Sequence, residues 1–194
     1  MKHPIEKRSD RVMRYFTPEL YQQFNSPDDE AADLANAAWE RAIRDYRQHL
    51  KSIRHKLPPE VQSLADLCLH DAEVLGFDEK VQSTVAESKQ LGGVSPWQSV
   101  AILCLRQQET LYVLLYMLSD RTRAHPPVEN WQFSGERRHW LYDELDLWTN
   151  QRERFLHRIL LSDGRVLEIP FLSAIVSVIP LPAVNEASLS KRSA

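Results

Sequence analysis

The chain carries only two cysteines, Cys68 and Cys104. That is too few for a disulfide framework, and they lack the short pairwise spacing a zinc site wants. Both stand beside leucines, so they are expected to be buried thiols in a reducing compartment. Glycine is scarce as well, five among 194 residues, which leaves little material for a glycine-rich phosphate cradle. Neither a Walker nor a dinucleotide-binding fingerprint occurs. No G-x-S-x-G elbow presents a serine nucleophile, and a thiol among leucines is a poor one because burial raises its pKa. Charge of one sign is missing too. Lys plus Arg number 24 against 27 Asp plus Glu, a net charge of −3 that offers nucleic acid no bulk attraction. The longest apolar stretch near the end, residues 167–181, is broken by Glu168, Pro170, Ser173, Ser177 and Pro180. A membrane span needs about 20 apolar residues in succession. The opening MKHPIEKRSDRVMRYF has no apolar signal-peptide core. A cytoplasmic protein with no membrane contact is expected.

What is present suits a single domain: 194 residues, 43% of them hydrophobic, enough to bury roughly 70% of the unfolded surface. Residues 1–14 are charged and unpatterned and read as a flexible extension. Thr17-Pro18-Glu19 is an N-cap followed by proline at the first helical position, opening a short helix through Phe24. Ser26-Pro27-Asp28-Asp29-Glu30 repeats the device, with acidic side chains against the positive end of the helix dipole. Ala35, Ala38, Ala42, Tyr46, Leu50, Ile53 and Leu57 then recur by threes and fours, one face of a long amphipathic helix that Trp39 and Ile43 widen. Pro58-Pro59 ends it, and residues 60–67 offer another turn or two. The helical part thus runs over 15–67.

From Leu69 the pattern changes to strands, over a mostly β part at 68–182. Apolar runs at 97–105 and 110–118 flank Arg106-Gln107-Gln108-Glu109 and read as two paired, well-buried strands. Gly92-Gly93 and Ser95-Pro96 mark a loop before them. Residues 155–162 and 165–171 are joined by Asp163-Gly164, the signature of a two-residue type I′ turn. That register sets Leu160 against Leu167, Arg158 against Ile169 and Leu156 against Phe171 toward the core, and leaves His157, Ile159, Leu161, Val166 and Glu168 on the other face. Residues 139–148 fit a helix or an acidic strand, with the strand favoured. Residues 183–194 read as a flexible tail. The whole is α+β: N-terminal helices, including one long amphipathic helix, followed by an antiparallel β-sheet of hairpins.

Chemistry-bearing residues are few. His70-Asp71 is the doublet that supplies two metal ligands in the helical HD-superfamily phosphohydrolases, where His49 or His55 and Asp143 or Asp146 would complete the set. Those enzymes hold their ligands on helices, whereas adjacent side chains on a strand point to opposite faces. Tyr142-Asp143-Glu144 with His157 and Glu168 could serve acid–base work if the side chains converge, or form a satisfied polar face. Arg44, Arg47, Lys51 and Arg54 make a basic contact strip on the long helix, suited to an acidic partner or simply a solvated face favoured near a helix C-terminus. The candidate polar cluster is therefore His70, Asp71, Tyr142, Asp143, Glu144 and His157. No cofactor and no metal are expected.

Five segments in order, Tyr15–Tyr21, Trp39-Glu40-Arg41-Ala42, Leu69-His70-Asp71-Ala72, Tyr142-Asp143-Glu144 and Phe155–Gly164, resemble a family of uncharacterised bacterial proteins of about 200 residues. The resemblance implies an α+β fold and a bacterial origin and assigns no activity. The function expected is a non-enzymatic binding or protein-interaction module, its partner another protein rather than nucleic acid. A contact on the basic helix or an open sheet edge would serve it. The alternative is a metal-dependent hydrolase using His70, Asp71, Asp143 and His157.

Overall fold

A computed structural model describes residues 12–82, 98–148 and 154–182. Helix α1 spans Pro18–Phe24, α2 Asp29–Ile53 and α3 Pro59–Ala65, with a 3₁₀ turn at Arg54–Lys56 between the last two. Seven strands follow: β1 Glu73–Gln82, β2 Gln98–Gln107, β3 Thr110–Leu118, β4 Arg123–His125, β5 Trp140–Leu147, β6 Phe155–Leu161 and β7 Val166–Pro180. The α+β architecture holds, with its helices first and one antiparallel sheet after them. The expected loop at Gly92-Gly93 and Ser95-Pro96 and the tail at 183–194 lie outside the described residues.

Local chemistry sets the helix ends. The Thr17 hydroxyl accepts from the Leu20 amide at 3.2 Å, as the cap pattern requires. For α2 the cap is Asp28 rather than Ser26: its Oδ1 accepts from Glu30 and Ala31 at 3.0 and 3.2 Å. A carboxylate there meets the helix dipole as well as two orphan amides, which a hydroxyl two residues earlier cannot do. Ala35, Trp39, Ala42 and Ile53 are the buried positions of α2. The helix stops at Ile53, before the proline pair, and Pro59 opens α3.

The strands run in the order β1-β2-β3-β7-β6-β5, with β4 extending β3's side of β7. The path curls until its ends meet. Asp71 N–H donates to the Trp140 carbonyl at 2.8 Å, Trp140 N–H to Ala72 at 2.8 Å, and Val74 N–H to Arg138 at 2.7 Å. Inside the curl, Leu103, Leu105, Leu114, Tyr116, Ile159 and Phe171 form one core with Val61 and Leu64 of α3. Each such side chain contributes about 1.5–3 kcal/mol on burial. Outside, α2 covers β5 and β6 through a second cluster of Met13, Phe16, Trp39, Ala42, Leu141 and Leu160. Met13 is 1% exposed, so the packed fold begins within the stretch the sequence assigned to a loose extension.

The turn between β6 and β7 corrects the expected register. Leu161 N–H donates to the Arg165 carbonyl, and Gly164 N–H to the Leu161 carbonyl, both at 2.9 Å. Ser162-Asp163-Gly164 is a three-residue loop whose last member takes the left-handed φ of 80°. Pairing therefore sets Phe155 against Phe171, His157 against Ile169, Arg158 against Glu168 and Leu160 against Val166. A one-residue slip exchanges the faces of a strand. Phe155, Ile159, Leu161, Leu167, Ile169 and Phe171 line the inner core, and His157 is 1% exposed among them. Arg158 stands on the other face with its Nε 3.4 Å from Glu168 Oε2.

The thiols are corrected too. Cys104 is half-buried and Cys68 is exposed. Leu69, its neighbour, is the residue that turns inward, at 2% exposed.

Candidate functional site

The six candidate polar residues do not converge. They divide into three groups because β5 sends successive side chains to opposite faces.

Asp143 faces inward. Its Oδ2 lies 3.2 Å from His157 Nε2, and its Oδ1 accepts from Trp140 Nε1 at 3.1 Å. His157 Nδ1 lies 2.9 Å from the Tyr116 hydroxyl. An ionised carboxylate only accepts, so Nε2 donates to Asp143, and the Tyr116 hydroxyl, which can donate or accept, completes the hydrogen bonding at Nδ1. Burial, and then the Asp143 charge, pushes the Tyr116 phenol well above its ordinary value, which keeps it protonated. Every polar atom of this Trp–Asp–His–Tyr chain is engaged within the core. The network fixes the packing of β3 against β5 and β6 rather than freeing a base.

Tyr142 faces outward. Its hydroxyl lies 3.0 Å from His70 Nε2, while His70 Nδ1 lies 2.8 Å from Asp71 Oδ2. Asp71 has a φ of 64°, a left-handed position that aspartate tolerates better than most residues. The Gln107 amide donates to the His70 carbonyl at 2.8 Å, tying this turn to the end of β2. Burial raises the Tyr142 phenol, with the Asp71 charge adding to it.

Glu144 makes the third group. It is 2% exposed, and its carboxylate accepts from the backbone amides of Arg14 and Phe16, both at 2.8 Å, and of Tyr15. It anchors the N-terminal segment over α2 and β5. Among the described residues no three His, Cys, Asp or Glu side chains are grouped to hold a metal.

The basic strip is partly engaged as well. Arg54 meets Asp66 through both guanidinium nitrogens at 2.7 Å, and the paired guanidinium holds the Asp66 carboxyl below its usual value. Arg44 stands 4.0 Å from Glu40, and Arg47 and Lys51 are exposed.

A different feature lies open. β7 has 15 residues and β6 only 7, so β6 pairs with β7 no further than Phe171. From Ser173 to Pro180, β7 is paired on its β3 side alone among the described residues, and Leu172 sits at a β-bulge. Leu172, Ile175, Val178 and Ile179 on this segment are 46%, 56%, 55% and 44% exposed. No charged residue occurs between Ile169 and Pro182. The other two open edges are protected. β1 carries Asp78 and Lys80, and the Leu145 amide of β5 donates to the Tyr46 hydroxyl of α2 at 2.7 Å. A cavity of about 470 Å³ lies where the open segment of β7 begins, between Leu57, Glu60, Phe155 and Leu172. The sequence did show the long run at 167–181. Its excess over the 155–162 run is the sequence signal for the open segment.

Comparison with protein-family models, with curated proteins and with solved structures finds no match to this chain. No helix among the described residues is long and apolar enough to cross a membrane.

Proposed function

We propose that this chain is a protein-interaction module that takes an added β-strand along Leu172–Pro180. The observation that carries the reading is the contrast between edges. β1 and β5 are guarded by charge or by a helix side chain, whereas this half of β7 presents uncharged, β-branched sequence with no strand on its β6 side among the described residues. Strand addition draws affinity from main-chain hydrogen bonds, and specificity from side chains falling alternately on the two faces. Exposed large apolar residues on both faces of the segment supply that second part. The internally satisfied His157 and Glu144 groups support a non-enzymatic role.

The test is selection of nine-residue peptides from a random display library on the wild-type chain, with counter-selection on an Ile175→Lys/Val178→Lys variant. Peptides rich in Val, Ile and Thr should emerge and lose binding at least tenfold on the variant. If every selected peptide binds wild type and variant alike, the reading fails.

A further inference from the structure

Resting on that strand-addition reading, we infer that the strand which occupies the β7 edge is the same segment of a second copy of this chain, paired antiparallel about a two-fold axis at Val176. A two-fold perpendicular to a sheet joins two identical edges into one sheet. It does so only if directly opposed residues belong to the same face. Faces alternate along a strand, so an axis through a residue meets that condition and an axis between residues does not. Placed at Val176, the axis uses the regular part of the open segment: Ser173 opposes Ile179, Ala174 opposes Val178, Ile175 opposes Ser177, and Val176 opposes its own copy.

The side chains match this arrangement. On the outer face, Ser173, Ile175, Ser177 and Ile179 alternate small and large, so each isoleucine of one copy meets a serine of the other. On the inner face, Ala174 meets Val178 in the same small-to-large manner. β7's existing neighbour is matched differently: Ile175 and Ile179 oppose Leu115 and Leu111 of β3, large against large. A second copy of β7 in this register would instead set a serine opposite each isoleucine. Charge points the same way. Two copies of a segment with no ionised side chain meet without the like-charge repulsion that self-pairing of a charged edge incurs. Pro180 lacks an amide and ends the ladder before Leu172 of the second copy, beside the cavity bounded by Leu57, Glu60 and Phe155.

Sedimentation velocity of the full chain over micromolar concentrations tests the inference. The expected result is a species of twice 22.6 kDa that Ile175→Lys converts to the single-chain mass. The variant's melting curve should match that of the wild type diluted to the single-chain state, because Ile175 is exposed in the single chain. Register is tested by cysteine cross-linking in a Cys68→Ser background. Val176→Cys should form an intermolecular disulfide under mild oxidation, and Val178→Cys should not, because it opposes Ala174. A single-chain mass at every concentration overturns the second-copy inference. So does a dimer that survives Ile175→Lys, or equal cross-linking at 176 and 178. If the chain is monomeric but display peptides still bind in an edge-dependent way, only the second copy is lost. If both fail, the strand-addition reading falls with it.

Discussion

The Tyr116 hydroxyl lies 2.9 Å from His157 Nδ1, joining β3 to β6 through a polar contact in a core otherwise dominated by apolar side chains. Tyr116→Phe keeps the ring and leaves Nδ1 without its hydrogen-bond partner. An unsatisfied buried polar group costs about 1–3 kcal/mol. The urea midpoint should fall by a corresponding amount with the slope unchanged. His157→Leu should cost a similar amount, and the double variant less than the sum, since the two residues form one contact.

Glu144 makes stability depend on pH in an unusual direction for a carboxylate. Burial raises its pKa, and the amides of Arg14, Phe16 and Tyr15 only partly oppose this. A raised folded pKa contributes stability that is complete below the unfolded value of 4.5 and is lost as pH rises through the folded value. Asp146 has the opposite sign. Burial pushes it up, but the His49 imidazole, its Nε2 3.1 Å from Oδ1, outweighs that and holds it below its usual 3.8. Its contribution is present at neutral pH and lost on acidification through the folded value. Glu144→Gln places an amide nitrogen against a backbone donor, so it should destabilise at every pH. The wild type's advantage should widen as pH falls from 7 toward 4.5, read by urea melts across that window. His49→Ala should raise the Asp146 pKa, read by NMR titration of its side-chain carboxyl.

Gly164 is required twice over. Its φ of 80° disfavours an L side chain, and an added Cβ would stand 2.6 Å from Trp131 Cδ2 and 2.7 Å from Pro127 Cβ. Gly164→Ala should destabilise by about 1–3 kcal/mol. Trp131 should move with it. Its Nε1 donates to the Ser162 carbonyl at 2.9 Å, so native tryptophan fluorescence should change before unfolding begins.

Much of the local structure is legible in the sequence. Thr17-Pro18 opens α1, the Trp39 and Ala42 stripe turns α2 inward, and the runs flanking Gln108 pair as β2 and β3. What escaped depends on one residue of loop length. Asp163-Gly164 serves two-residue and three-residue turns alike, and the longer one placed His157 inside and Arg158 beside Glu168. Residue chemistry marks Asp143 and His157, which do meet, yet Tyr116 and Trp140 complete the network from positions that only the folded sheet relates. The open edge is a property of two strands of unequal length. No window confined to β7 contains it.

The seam between residues 71–74 and 138–140 has a kinetic consequence. Strands β2, β3 and β4 lie between its two sides, so the loop it closes can form only after much of the sheet exists. Loop closure of that span carries its entropy cost before the contacts inside the curl repay it, which slows folding relative to a local fold. On a ribosome, α1, α2 and α3 emerge long before Trp140 arrives to cover Leu69 and Ala72. The apolar face of the helices is thus synthesised before the strand that closes the seam with it.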